Sequence, residues 1–415
     1  MTRVFVVLLG ATLALLTSCT RRDAPNIVVV ALDTVGAEHL GVEVPGLGHT
    51  PNLDRLAAEG VVFDRAFSTA PWTQPAIASV FTSRMPSSHG VLRLKHVLPS
   101  AAVTLAERMR SEGYATAGFV THHLLAKKLG FAQGFAHWNE EHVSGHRAIN
   151  SGELTDSVIA WLDSHPGDEP FFLFVHYFDP HYAYQHHEAH DLTSAYEGSL
   201  VPAMNIWTLR DMRTELSPAD IEYLVGLYRE EIAFTDHHVG RLLEHLRRLG
   251  VDDRTVVAVV GDHGEEFMRH GWIGHTRTLY DELIRVPLIL RVPGASGTRV
   301  ESSPVSILDL APTLLEVAGA EPDPDAHGIS LLPSLVEAAP LPARDVLAEV
   351  SFEGKRPDAG KEKTVFLTTL IRGDLKVVHD LVTDRFTVFD RSTDPEELVD
   401  LAASHPEAES LRAAL

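Results

Sequence analysis

The stretch "NIVVVALDT", Asn26 to Thr34, decides the fold. From Asn26 to Leu32 it is a continuous apolar run rich in β-branched residues, with no polar alternation. A strand that reads this way is buried on both faces, which is the signature of a parallel sheet covered on both sides. Four more runs of the same kind follow: "YATAGFV" (114–120), "FFLFVHY" (171–177), "TVVAVVG" (255–261) and "VPLILRV" (286–292). Helical patterns lie between them. "TPNLDRLAAEG" places Thr50 as a cap, Pro51 at the first helical position and Gly60 past the end. Ser217 to Gly250 is one long helical stretch with room for a single break, and "VSILDLAPTLLEVAG" is another helix. Strands alternating with helices give an α/β chain with a doubly wound, mostly parallel sheet flanked by helices.

Toward the C-terminus the pattern changes. After a proline-rich stretch (322–343), "FLTTLIRGDLKVVHD" and "DRFTVFD" alternate around turn signals, with Gly373-Asp374 as one turn. This predicts a small antiparallel sheet. The polar, irregular segment 183–216 reads as an insertion over one end of the main sheet. Its "HHEAH" (186–190) reads as a solvated loop, because no periodicity holds the imidazoles in place.

Ligands of open α/β sheets bind beyond the carboxyl ends of the strands. The polar residues found there are Asp33 after the first run, Asp179 and His181 after the third, and Asp262 and His263 after the fourth. His275 follows shortly after. Any one of these aspartates alone suits a turn or a cap. Their coincidence at successive strand ends points to a site.

The 415 residues carry a net charge of −22, and 45% are apolar. No basic patch interleaved with aromatics is present, so nucleic acid is not an expected partner. An acidic chain that handles an anionic substrate must concentrate positive charge locally, and a bound metal does so. The single cysteine, Cys19, excludes an internal disulfide. It ends "MTRVFVVLLGATLALLTSC", in which Arg3 precedes an apolar run from Val4 to Leu16 that is short for a bilayer span. Residues 1–18 read as a signal peptide. The Leu-Thr-Ser-Cys ending resembles a bacterial lipobox. The expectation is an exported bacterial lipoprotein, held at the membrane of the cell envelope (periplasm or cell surface) through Cys19, with 19–25 as a tether.

"STAPWTQPAIASVFTSR" puts Thr73 at the start of a helix that runs to about Phe81. Threonine is a common N-cap. A helix N-terminus also suits a phosphate or sulfate group, and a metal-held hydroxyl can act as a nucleophile. Both roles are open from the sequence.

"NIVVVALDTVGAEHLG", "TPNLDRLAAEGVVFDRAFSTAPWTQPAIASVFTSRMPSSHGV", "FFLFVHYFDPH", "TVVAVVGDHGEEF", "TLYDELIRVPLIL" and "VFDRSTDPEELVDLA" resemble, in order and spacing, blocks of the sulfatase family of the alkaline phosphatase superfamily. The resemblance implies a catalytic domain over 26–335 and a small subdomain packed on it over 340–415. It implies metal ligation by Asp33, Asp262 and His263, a nucleophile position at Thr73, and a contact from His181 to the transferred group. His275 stands near a lysine or a histidine ligand of relatives. The chain departs from the family at Thr34 (a second aspartate), Gly36 (an arginine) and Ile77 (the motif arginine). Thr73-Gln74-Pro75-Ala76-Ile77 contains no residue convertible to formylglycine, so no formylglycine forms there. Threonine at this place resembles phosphotransferases, nucleotide pyrophosphatases and related esterases.

The expected chemistry is metal-dependent hydrolysis of sulfuric or phosphoric and phosphonic esters of a small molecule, glycan or lipid. Thr73 attacks, and His181 or His275 protonates the leaving oxygen. A divalent ion sits on Asp33, Thr73, Asp262 and His263; the imidazole favours Zn²⁺ or Mn²⁺, with Ca²⁺ admissible. Asp179, His181 and His275 offer a second metal site. Two other functions remain open from the sequence. One is transfer of a phosphoryl head group onto cell-envelope material. The other is a catalytically impaired binding lipoprotein, suggested by Gly36, Ala76 and Ile77.

Overall fold

The computed structural model describes residues 24–143, 145, 148–165, 169–295, 299–353 and 364–415. The signal peptide, Cys19 and most of the tether lie outside the described residues. The main sheet has eight strands: β1 (Asn26–Leu32), β2 (Val61–Phe63), β3 (Ala115–Val120), β4 (His137–Asn139), β5 (Phe171–Tyr177), β6 (Thr255–Gly261), β7 (Leu288–Arg291) and β8 (Arg299–Glu301). Their order is β8-β2-β7-β6-β1-β5-β3-β4. The centre is parallel, β6 and β5 flanking β1 in register. β7 runs antiparallel to both β6 and β2. Every residue of β1, β5 and β6 is buried, as their unbroken apolar runs require.

Helices cover both faces. Helices α1 (Pro51–Ala57), α2 (Thr73–Thr82), α3 (Leu105–Ser111), α4 (Ser151–Ser164), α5 (Pro218–Arg248) and α6 (Leu310–Val317) are the main ones. α2, α3 and α6 pack on one face against Ile27, Val29, Ala31, Phe172, Phe174, Val256, Ala258 and Val260. α1, α4 and α5 pack on the other, against Val28, Val30, Leu32, Leu173, Val175, Val257 and Val259. Alternate residues of one strand thus serve opposite layers.

Two local expectations change. α5 is unbroken over 31 residues, opened by a capping box of Ser217 and Asp220 with Pro218 inside it. Thr50 does not cap α1. Its hydroxyl accepts from Gly41 N at 2.9 Å and donates to Asp54 at 3.1 Å. Asp236 of α5 instead takes the free N–H groups of Asn52 and Leu53, at 3.1 and 2.8 Å.

The C-terminal sheet is β9 (Val346–Glu353), β10 (Thr364–Arg372), β11 (Leu375–Asp380) and β12 (Arg385–Asp390), antiparallel throughout. Gly373-Asp374 forms the β10–β11 turn, with Gly373 at φ +56°. One face packs on a helix, α7 (Ala408–Ala414), through Leu370, Val377, Val388 and Leu411. The other presents Val346, Ala348, Val350 and Ile371 to Phe67, Ala70 and Trp72 of the main domain. The strand "VLAEVSFE" carries no turn signal of its own and was not legible in the sequence.

Phe174 lies in the α2-side layer, its ring 4.7 Å from that of Phe81. Phe174→Ala should cost about 3–5 kcal/mol of unfolding free energy, read from chemical denaturation with an unchanged m-value.

Candidate active site

Three neighbouring strands end in polar residues that share one face. Ala31, Phe174 and Val260 all point to the α2 layer. Two residues further along each strand, the period-2 alternation brings Asp33, His176 and Asp262 to that same face. The register sets Asp262 level with Asp33, since Leu32 pairs with Gly261, and places His176 level with Ala31, one step below them on the same face. The backbone ladder continues into the site through Asp33 N to Tyr177 O (2.9 Å) and Asp262 N to Leu32 O (3.3 Å). Asp33, His176, Asp262 and His263 are completely buried.

Thr73 enters from α2 on the same face. It is the first residue of the helix; the cap position is Trp72, and no side chain caps this end. The Thr73 hydroxyl lies 3.4 and 3.5 Å from the two oxygens of Asp33 and 3.3 Å from His263 Nε2. It therefore does not cap its helix. Trp72 is clamped by the C-terminal sheet, which fixes where Thr73 begins. Gln74 holds the loop beside it, donating to His96 O and accepting from Lys95 N.

His263 Nδ1 pairs with Gly264 O at 2.9 Å, which places the proton on Nδ1 and leaves the Nε2 lone pair facing Thr73. Asp262 accepts from Thr34 N (3.0 Å) and His263 N (2.8 Å) through Oδ1 alone. Thr34 thus contributes its peptide N–H, while its hydroxyl donates to Asp33 O.

These groups fit a divalent cation. Asp262 Oδ2 and both nitrogens of His176 are buried without a hydrogen-bond partner. The donors stand apart by distances long for hydrogen bonds: His263 Nε2 is 3.7 Å from Asp33 and 3.6 Å from Asp262, and His176 Nε2 is 3.4 Å from Asp33. Ligands about 2.1 Å from one tetrahedral centre stand about 3.4 Å apart. Burial, then the neighbouring Asp262 and Glu265 charges, push the Asp33 carboxyl well above its usual range. Burial pushes Asp262 up to about 8. Two carboxylates so placed call for a positive charge between them.

His275 and His181 stand in a row with the site. The His275 ring is 4.5 Å from His263 and 4.9 Å from His181. His275 Nδ1 pairs with Glu265 at 2.8 Å, and the second Glu265 oxygen accepts from Tyr184 OH at 2.9 Å. Asp179 does not join them. Its carboxylate accepts from Asn150 N and Ser151 N at 2.9 Å and caps α4, so the Asp179–His181–His275 metal site is not assembled. "HHEAH" keeps His186, Glu188 and Ala189 exposed, as a solvated loop does, but it is held in place: His186 and His187 dock on Glu230 and Glu231 of α5 at 2.8 and 2.7 Å. Glu230 is further saturated by His187 N, Leu192 N and Thr193.

Thr73 opens into a cavity of about 810 Å³. Its walls carry Arg93, Arg210 and Arg277 beside the rings of Trp72, Trp207 and Phe352. Among the described residues the lone carboxylate there, Glu353, pairs with Arg93 at 3.0 Å. The acidic chain thus keeps cationic side chains where an anion would enter. Ala76 and Ile77 lie in the apolar layer beneath the helix and do not line the cavity.

Several of these residues escape a sequence reading. Arg210 and Arg277 lie in segments without periodicity. His176 does carry a signal, as a polar residue at a core-facing position of an otherwise apolar strand.

A helix-borne hydroxyl, buried carboxylates and imidazoles at the carboxyl edge of a doubly wound sheet define an ester hydrolase of the alkaline phosphatase and sulfatase type. Residues 25–320 match the Sulfatase family, and residues 268–415 match the family described as N-sulphoglucosamine sulphohydrolase, C-terminal. This chain belongs to the sulfatase family. It is 24% identical to an N-acetylglucosamine-6-O-sulfatase of Bacteroides thetaiotaomicron, over 90% of this chain and 82% of that one. A structure solved with its substrate D-glucosamine-2-N,6-O-disulfate superposes with a TM-score of 0.79 at 21% identity, covering 94% of this chain and 96% of that one. The phosphonate monoester hydrolase of Agrobacterium radiobacter gives a TM-score of 0.76 at 21% identity, covering 94% of each chain.

The buried acids make a pH prediction for protein stripped of divalent ions. Asp262 (about 8) and Glu265 (about 7) hold protons in the folded state that the unfolded chain has released. The folded state then binds more protons, so stability falls as pH rises. His176 and His263, depressed by burial to about 3 and about 4, act below 6.5. Between about pH 6.5 and 8 the thermal midpoint should therefore drop in chelator, and saturating Zn²⁺ or Mn²⁺ should flatten the slope.

Proposed function

We propose that this chain is a metal-dependent hydrolase of sulfuric, phosphoric or phosphonic esters, with Thr73 as its nucleophile. The observation that carries it is the Thr73 hydroxyl, turned from the helix cap toward Asp33 and His263 at the edge of the cavity. Asp33, Asp262, His263 and Thr73 would hold the ion. When bound, it supplies Lewis acidity that lowers the hydroxyl pKa and offsets the charge of the ester.

The chain's own groups account for the rest. The arginines of the cavity draw in the anion, and the aromatic rings receive its organic part. Thr73 Oγ, its proton released to solvent beforehand as its pKa falls, bonds to the central phosphorus or sulfur as the bond to the leaving oxygen breaks. His275, its Nδ1 held by Glu265, gives its Nε2 proton to that oxygen. His181 is the second candidate for this proton. Water then attacks the threonine ester and gives a proton back to the imidazole, freeing the anion and restoring Thr73. An alcohol ester has no second hydroxyl on its carbon from which to expel the anion, so release requires water at the central atom. This favours phosphorus at the centre. The sugar sulfate and phosphonate monoester activities named for the relatives keep both centres in the test. The N-terminal "LTSC" supports an exported, lipid-anchored protein.

Purified protein with Zn²⁺ or Mn²⁺ is assayed on aryl sulfate, aryl phosphate and phosphonate monoester. Turnover of the phosphorus esters is expected. Thr73→Ala should lower kcat/KM by at least about 10³-fold, while Thr73→Ser keeps measurable rate. Equal loss in both variants, or no turnover by the wild type, would count against the proposal.

A further inference from the structure

His176 stands in the site without a task in the chemistry above. It occupies a core-facing position of β5 where Phe172 and Phe174 precede it. An apolar residue there would extend the layer, and a buried imidazole costs free energy unless its nitrogens are satisfied. In this structure neither nitrogen has a hydrogen-bond partner, and the ring is fully buried. Nε2 nevertheless points at Asp33 Oδ2, 3.4 Å away. One donor atom each from Asp33, His176 and Asp262 falls within 4.8 Å of the others. The 3.4 Å between His176 Nε2 and Asp33 Oδ2 is beyond a good hydrogen bond and matches the separation of two ligands of one ion.

We infer that His176 is a further ligand of the cation held by Asp33, Asp262 and His263, and that its imidazole biases the site toward Zn²⁺ and against Ca²⁺. The inference rests on the metal-dependent reading above. Without His176 the donors are two carboxylates, one hydroxyl and one imidazole. Calcium prefers six to eight oxygen ligands, whereas imidazole suits zinc. A second nitrogen, brought in by a rigid central strand, moves the preference further. The same register that levels Asp33 with Asp262 fixes its place: Ala31 pairs with His176 across β1 and β5.

The test uses ion binding rather than turnover. Metal-free wild type, His176→Asn and His176→Phe are titrated by calorimetry with Zn²⁺ and with Ca²⁺, and Co²⁺-loaded samples are compared by visible absorption. The expected result is a Zn²⁺ Kd at least about tenfold weaker in both variants, with a shifted Co²⁺ spectrum. His176→Asn, which offers an oxygen, should leave Ca²⁺ binding unchanged or tighter. A merely structural histidine would shift both ions together and leave the Co²⁺ spectrum of the bound site as it was; that result overturns the inference. X-ray absorption of the Zn²⁺-loaded wild type counts imidazoles without any substitution, so a misfolded variant does not end the test. Two imidazoles are expected, and one overturns the inference while leaving the metal site standing. A wild type that binds no divalent ion overturns the functional reading as well.

Discussion

Two carboxylates buried at the ends of adjacent strands are the constraint on which the rest of this structure depends. One oxygen of each lies within 4.8 Å of the other, and like charges that close repel by at least roughly 3.5 kcal/mol even at an effective dielectric of 20. Burial adds a desolvation cost to each. The raised proton affinities of Asp33 and Asp262 express that cost. The surroundings leave it uncorrected: Asp262 keeps one oxygen without a partner, and no arginine or lysine is paired with either carboxylate among the described residues. The strain is local, and the divalent ion proposed for this site would relieve it by drawing a hydroxyl, carboxylates and imidazoles to one point.

The placement of Thr73 shows how the two sheets cooperate. The main sheet supplies the acids, but the hydroxyl arrives on α2, whose first turn is preceded by Trp72. That ring is held in an apolar cluster with Val346, Ala348 and Val350 of the C-terminal sheet. Phe352 of the same sheet reaches the cavity wall. The small sheet therefore sets both where the Thr73-bearing helix starts and part of the cavity wall. This gives a physical reason for the two parts to pack as one body.

The histidine-rich segment after β5 is held to α5 by acids. His186 and His187 meet Glu230 and Glu231 in consecutive pairs on α5, and Tyr184 in the same segment donates to Glu265. The segment thus links the long helix to the carboxylate that orients His275. A composition-based reading sees only clustered imidazoles there; the partners lie some forty residues away, on a helix face that the sequence does not relate to them.

The amino-acid sequence by itself determined the layered α/β architecture, because unbroken β-branched runs can be satisfied only by a sheet covered on both faces. It also determined that Asp33, Asp262 and His263 sit at strand ends, and that Thr73 opens a helix. Tertiary structure decided the rest. Strand register and the period-2 alternation selected His176 and turned it toward Asp33. The same contacts sent Asp179 to cap α4 and gave the capping of α1 to Asp236. Local sequence specifies which groups are available; only the packing of distant elements, each seeking partners for its buried polar atoms, decides which of them meet.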